Sequence, residues 1–343
     1  MRSRLSLVSI FKVISIGAST LLIIVCFYTT TSFFDFTVLD LAGLVLPYIV
    51  LVNILLLIYW AFKKDRFIFL VLIPLIVWYF ILGPFFKIFS LEAKDSSDTI
   101  SVLTFNVLGF EGNYNNRDEH IANKIVDFVN RQDADIICFQ EYSRQNISSN
   151  VFADYPYQYI YQFNNRQRYS SLAIISKYPI ISQGSLNFKN TVNNTVYADI
   201  VKNRDTIRVY NVHLQSLRIR PGSFKRENPL RIYNRLGTTF EYQRRQAEQI
   251  VKHSKNSPYP KIICGDFNNT QYSRIYQRIR SAMKDSYLEK GSGFGRTLEF
   301  KFLPFRLDYI LTDPDFEVLE HKNFEAVLSD HYPVMATIQL GTD

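Results

Sequence analysis

Lys261-Ile262-Ile263-Cys264-Gly265-Asp266-Phe267-Asn268 carries a β-branched apolar run onto a glycine, an acid and an amide. A buried strand that ends in this way presents a carboxylate and a carboxamide side by side at the rim of a sheet. Alone the stretch is weak, because Gly, Asp and Asn are ordinary turn residues. Its weight comes from others built alike. Ile100 to Asn106 alternates and ends on Asn106, Asp135 to Glu141 is an apolar run ending on Glu141, and Thr206 to His213 ends on His213. Phe305 to Leu311 carries Asp308, and Ser329-Asp330-His331 precedes a last apolar run, Tyr332 to Leu340.

Working outward, Ser171 to Ser176 reads as a further strand. Helical spacing of apolar residues marks Glu119 to Asn130, Phe240 to His253 and a segment near Tyr272 to Met283. Strands outnumber helices and helices lie between strands. That order predicts an α/β (α+β) sandwich, two packed β-sheets with helices outside. No repeat or low-complexity tract interrupts residues 99–343, so they are taken as one domain, preceded by a polar linker at 91–98.

Residues 1–90 are of another kind. Val13–Phe34, Leu41–Phe62 and Phe67–Phe86 carry no charge, and each is about as long as a helix needs to be to cross a bilayer. They predict a membrane anchor with three transmembrane helices. Arg2, Arg4 and Lys12 precede the first and Lys63-Lys64-Asp65-Arg66 separates the second from the third, whereas Asp35 and Asp40 mark the first loop. The positive-inside rule then predicts a cytoplasmic N-terminus and an extracytoplasmic domain in an inner, multi-pass membrane protein.

The formal charge of +8 across 343 residues favours an anionic partner without choosing among nucleic acid, lipid headgroup and phosphorylated metabolite. Cys26 falls in the first apolar segment; Cys138 and Cys264 fall in strand-like runs and read as buried thiols. The absence of a CxxC or Cys/His spacing argues against zinc.

Asn106, Glu141, His213, Asp266 with Asn268, Asp308, and Asp330 with His331 are each unremarkable alone. Together, acids at the ends of buried strands require a charge to meet them. A hard divalent cation, Mg²⁺ or Mn²⁺, suits those oxygen donors and binds substrate phosphate. Thr104-Phe105-Asn106, Gln140-Glu141, Asn211-Val212-His213, Gly265-Asp266-Phe267-Asn268, Arg306-Leu307-Asp308-Tyr309 and Ser329-Asp330-His331-Tyr332-Pro333 resemble, in order, the motifs of the endonuclease/exonuclease/phosphatase superfamily. Ser171 to Ile180 also fits, with Ser170-Ser171 where members often carry a glycine.

The resemblance implies a four-layer sandwich with the site at one rim and hydrolysis of a phosphate ester by an activated water. It implies Glu141 as principal metal ligand, helped by Asn106 and Asp330. Asp266 would orient or deprotonate the water, and Asn268 would hold it or a phosphate oxygen. His331, held by Asp308, would contact the phosphate or act as base, and His213 would donate to a phosphate oxygen or the leaving group.

The stretch from His213 to Ala247 is the least family-like. Arg218, Arg220 and Arg244 stand there among other basic and aromatic residues, and Arg168 belongs to a smaller basic group. These read as substrate-binding residues for a polynucleotide backbone or an acidic membrane surface, or as a solvated charged face. A nuclease-like phosphodiesterase, a lipid or small-molecule phosphodiesterase or phosphatase at the membrane surface, and a non-catalytic phosphate-binding sensor or scaffold are the competing functions. No feature names a protein partner.

Overall fold

The computed structural model describes residues 7–31, 35–88, 98–112, 118–162, 171–219, 227–300 and 304–341. Arg168, Arg220 and most of the linker lie outside them. The chain divides into two compact units, one of residues 1–85 with 270–277 and the other of residues 86–269 with 278–343.

The first unit is helical: α1 (Leu7–Thr30), α2 (Thr37–Leu44), α3 (Leu46–Lys63) and α4 (Ile68–Leu82). The sequence anticipates three membrane-length helices, but among the described residues only α1 and α3 are long and apolar enough to cross a bilayer. Pro47 sets the start of α3 in its first turn, which cuts the second apolar segment in two. Gly83 ends α4 after 15 residues, about 22 Å of helix against the ~30 Å of a hydrocarbon core. Polar pairs hold the helices in register. Ser19 donates to Asn53 at 3.0 Å, and the Trp60 indole donates to Ser15 at 2.8 Å. Thr270–Gln277 belongs to this unit: Tyr272 is buried in its apolar cluster, and Arg274 pairs with Asp35 at 2.9 Å.

The second unit is the sandwich. One sheet contains β1 (Thr99–Asn106), β2 (Ile136–Gln140), β3 (Tyr157–Tyr161), β4 (Leu172–Ser176), β11 (Glu317–Asn323) and β12 (Val334–Gln339), in the order β11-β12-β1-β2-β4-β3. The other contains β5 (Ile180–Ser185), β6 (Asn194–Lys202), β7 (Asp205–His213), β8 (Lys261–Asp266), β9 (Lys284–Asp285) and β10 (Asp308–Thr312), in the order β5-β6-β7-β8-β10-β9. Each sheet has one parallel pair at its middle, β1 with β2 and β7 with β8. Alternation along the strands sends Val102, Cys138, Ile174, Val209, Ile262 and Cys264 into one core between the sheets. The opposite face of β1 and β2 packs on α5 (Ile121–Gln132) through Ile125 and Val129.

On the outer face of the second sheet, Tyr210 of β7 meets His253 of α6 (Pro229–Lys255) at 2.9 Å. This helix begins eleven residues before the expected Phe240, capped by the Asn228 side chain on the Leu230 amide with Pro229 in its first turn. Much of the basic stretch read as a connection is therefore helix. The segment near Tyr272 shortens to α7 (Arg274–Arg280), and α8 (Ser286–Lys290) follows β9.

His321 on β11 sits between the Ser286 hydroxyl at 2.8 Å and the Asn323 side chain at 2.9 Å. Burial pushes its pKa from 6.5 down to about 4. The unfolded chain therefore takes up a proton near 6.5 that the folded chain refuses until near 4. The stability His321 contributes is present above the upper value and lost as pH falls through the lower. His321→Gln is expected to remove this acid-labile component, about 2 kcal/mol after allowing for partial exposure, in denaturant titrations compared across that window.

Candidate active site

The parallel pairs decide where the polar residues gather, because both bring their C-terminal ends to one rim. Asn106 closes β1 opposite Gln140 of β2, and Glu141 follows at once. In the other sheet His213 closes β7 opposite Asp266 of β8, and Asp266 pairs across to Asp308 at the start of β10. His213, Asp266 and Asp308 thus form one row. Backbone strain marks both sides of the rim: Glu141 and Asn268 hold positive φ of 52° and 49°, a conformation uncommon for residues with a Cβ. Gly265 has φ of 128°, and a Cβ there would lie 2.1 Å from the Val212 carbonyl oxygen. The Gly before Asp266 is required by close approach of strands.

Asp266 is the centre of the hydrogen bonding. Its Oδ1 accepts the Asn268 amide at 2.7 Å, and its Oδ2 accepts the side-chain amides of Asn106 and Asn268, each at 3.1 Å. Asn106 also donates to Glu141 at 3.3 Å. His213 Nε2 lies 3.6 Å from Glu141 and 3.8 Å from Asp266. His331 Nδ1 is bonded to Asp308 Oδ2 at 2.8 Å, and its Nε2 lies 3.7 Å from Asp266. Asp330 accepts the Ser329 hydroxyl at 3.2 Å and makes itself felt at Glu141 through its charge.

The electrostatics separate the groups. Glu141 is pushed up to about 8, by burial first and then by the Asp330 carboxylate. Burial raises Asp266 above the usual carboxylate range. Burial lowers His213 and favours the neutral ring. Burial also opposes charge on His331, but the Asp308 and Asp266 carboxylates outweigh it and hold the ring well above its ordinary value. A protonated His331 is an acid and a phosphate contact.

Asp266, Asp308 and His331 are all buried and offer ligand atoms within 4.8 Å of one another. This cluster could hold a metal, though a protonated His331 has no lone pair to give. The neighbouring oxygen set, Glu141, Asn106 and Asp330, suits a hard cation better. Two features fit a cation at this rim: carboxylates crowded enough to raise Glu141, and a buried Asp308 Oδ1 without a hydrogen-bond partner among the described residues. The chemistry available is general base at Asp266, neutral donor at His213 and cationic donor at His331.

Residues 103–331 match the family model described as the endonuclease/exonuclease/phosphatase family. The chain belongs to this family. Its members act as phosphoesterase- or nuclease-type hydrolases. Residues 8–85 match a second model, described as a domain of unknown function. No curated protein matches the chain. Among solved structures, an endonuclease/exonuclease/phosphatase from Beutenbergia cavernae is 14% identical with a TM-score of 0.53, over 71% of this chain and 72% of that one. A humanized D. rerio TDP2 carrying 14 mutations is 14% identical with a TM-score of 0.54, over 71% and 100%. A family protein from Bacteroides thetaiotaomicron is 16% identical with a TM-score of 0.52, over 71% and 98%. At these identities the structural likeness shows a shared fold.

Asn106, Glu141, His213, Asp266, Asn268, Asp308 and His331 are brought together as the sequence suggests. Arg218 lies exposed on the loop after β7, and Arg244 lies half-buried on α6. Two supports of the site were missed. Gln140 donates to Asn211 at 2.7 Å, and Asn211 in turn donates to the Phe139 and Ala173 carbonyls at 2.8 and 2.9 Å, joining the two sheets just below the rim. Thr297 Oγ1 accepts the Leu307 and Asp308 amides at 2.9 and 3.1 Å and fixes the start of β10. Gln140 and Asn211 stand within the quoted motifs Gln140-Glu141 and Asn211-Val212-His213, but carry no assigned role there. Nothing in the sequence marks the second.

Proposed function

We propose that the chain is a membrane-anchored, Mg²⁺- or Mn²⁺-dependent phosphodiesterase of nuclease-like chemistry. The observation that carries this reading is the row His213–Asp266–Asp308, with His331 bonded to Asp308 and Glu141 beside Asn106. Glu141, Asn106 and Asp330 would hold the cation, which when bound supplies positive charge to offset charge developing on the phosphoryl oxygens. Asp266, fixed by three hydrogen bonds, accepts the proton of the attacking water. Asn268 orients that water or a phosphate oxygen. His213 and cationic His331 donate to the phosphate as charge builds on it.

α1 and α3 support anchoring, and the position of the basic residues supports a cytoplasmic N-terminus. The side on which the hydrolase faces turns on α4: if α4 also crosses, the domain is extracytoplasmic. A C-terminal fusion to a reporter enzyme active only outside the cytoplasm tests this: activity requires α4 to cross, and silence leaves two crossings and a cytoplasmic domain.

The apolar helices also favour a second substrate class, a phosphoester presented at the membrane surface. Full-length protein in detergent, given Mn²⁺ with plasmid DNA, a phosphocholine lipid or a chromogenic phosphodiester, separates the two. Nicking of DNA supports the nuclease reading, and turnover of lipid alone supports the second. Turnover of none, with Mn²⁺ still bound, would favour a phosphate-binding scaffold.

A further inference from the structure

Phe86, Lys87 and Ile88 begin the second unit, with Ile88 at a bend. Lys87 makes a two-bond antiparallel bridge with Gly293, its amide donating to Gly293 at 2.9 Å and its carbonyl accepting from Gly293 at 2.8 Å. The Lys87 ammonium donates to the carbonyls of Tyr287, Leu288 and Glu289 at the end of α8. Phe86 and Ile88 on either side of Lys87 are 45% and 74% exposed.

The opposing loop presents one more apolar side chain. Phe294 is 46% exposed, and its ring meets Phe86 at 4.8 Å. Gly293 and Gly295 on either side hold positive φ of 68° and 60°, and a Cβ on Gly295 would lie 2.5 Å from the Tyr287 ring. The Tyr287 hydroxyl donates to the Gly293 carbonyl at 2.6 Å. The tip is thus a fixed structure that displays an aromatic ring, with Lys290 and Arg296 half-buried on either side and Glu289 exposed.

Two facts say what covers it. Phe86 is four residues past the end of α4 at Leu82, a covalent reach of at most about 14 Å, so if α4 enters a bilayer with the other apolar helices, the patch is tethered within that distance of the end of α4. An exposed Phe-Ile-Phe group beside basic residues has the composition of a bilayer interface contact. From the tip the chain runs straight to the site. The Arg296 guanidinium lies 4.7 Å above the Tyr332 ring, Thr297 accepts the Tyr332 amide at 2.7 Å, and Leu298 bridges to His331.

Resting on the anchored reading above, we infer that Phe86, Ile88 and Phe294 form a membrane-contacting foot on the hydrolase unit, seated in a phospholipid interface. The foot holds the His331 side of the site near headgroup level, where a phosphoester borne by a lipid or adsorbed on the surface is within reach. The test uses the full chain in phosphatidylcholine vesicles with added phosphatidylglycerol. An environment-sensitive fluorophore is placed on Phe294→Cys and separately on Ser292→Cys, which leaves the tip ring in place; Cys26, Cys138 and Cys264 are buried. A probe on Leu55→Cys, exposed on α3, reports entry of the helices into the bilayer.

Loss of emission to lipid-borne shallow nitroxide, with protection from aqueous cobalt, is expected at 294 and 292. Deep nitroxide is expected to quench the probe at 55. Quenching at 55 with full cobalt access at both 292 and 294 would overturn the foot and leave the anchor standing. Cobalt access at all three would overturn the anchor and the foot with it.

Discussion

Asp266→Asn is expected to lower metal-dependent turnover of a chromogenic phosphodiester by about three orders of magnitude or more, with the fold intact. The two side chains have nearly the same shape, so packing at the end of β8 survives. The hydrogen bonding does not. Asp266 Oδ1 accepts from the Asn268 backbone, and Oδ2 accepts from the side chains of Asn106 and Asn268; an amide nitrogen at either position would face a donor instead. The variant also loses a charge that lies within 4 Å of both His213 and His331, and no longer has a basic oxygen for the water proton. Because Asp266 helps to hold the His331 proton, the substitution should also lower the pKa of His331, readable in histidine NMR spectra. A variant that kept a tenth of wild-type activity would remove Asp266 from the role of base.

Most of the site was legible because of one physical regularity. An apolar run that ends in an acid or amide is costly unless the polar group reaches a rim, and parallel strand pairs bring such ends together. On that ground Asn106 with Glu141, and His213 with Asp266, are expected at strand ends, and the parallel pairs place those ends together. What could not be read is long-range or lacks a pattern. Gln140 and Asn211 are 71 residues apart and join only when the sheets stack. Thr297 is an isolated threonine whose partners lie ten and eleven residues on.

The edge strands were also missed. In β5, Ile181, Ser182 and Gln183 are exposed in succession, so the period of two that marks a half-buried strand is absent. The start of α6 was placed too late because Gly237, Thr238 and Thr239 are poor helix formers, although Asn228-Pro229 carried the capping signal. The third apolar segment was overestimated because composition sets hydrophobic length, whereas Gly83 and Pro84 set where the helix stops.

Glu141→Gln is the second large effect, and its signature is a split between stability and function. In the metal-free chain Glu141 is buried beside the Asp330 charge and its carboxyl is raised to about 8. Removing the acid relieves that crowding, so the metal-free variant is expected to melt at the same temperature as wild type or higher. Mn²⁺ should behave oppositely toward the two proteins. A ligand at about 100 times its dissociation constant stabilises the folded state by about 2.7 kcal/mol. That corresponds to a rise of roughly 5–10 °C for a domain of this size. Wild type is expected to show that rise in a thermal melt, and Glu141→Gln to show little of it and to lose turnover by at least about a hundredfold. Asp308→Asn is the informative comparison, because Asp308 belongs to the other buried cluster that could hold a cation. If Glu141 is the principal ligand, the Mn²⁺ shift persists in Asp308→Asn and disappears in Glu141→Gln. The reverse pattern would move the metal to the Asp266–Asp308–His331 side of the rim, and would require His331 to be neutral there.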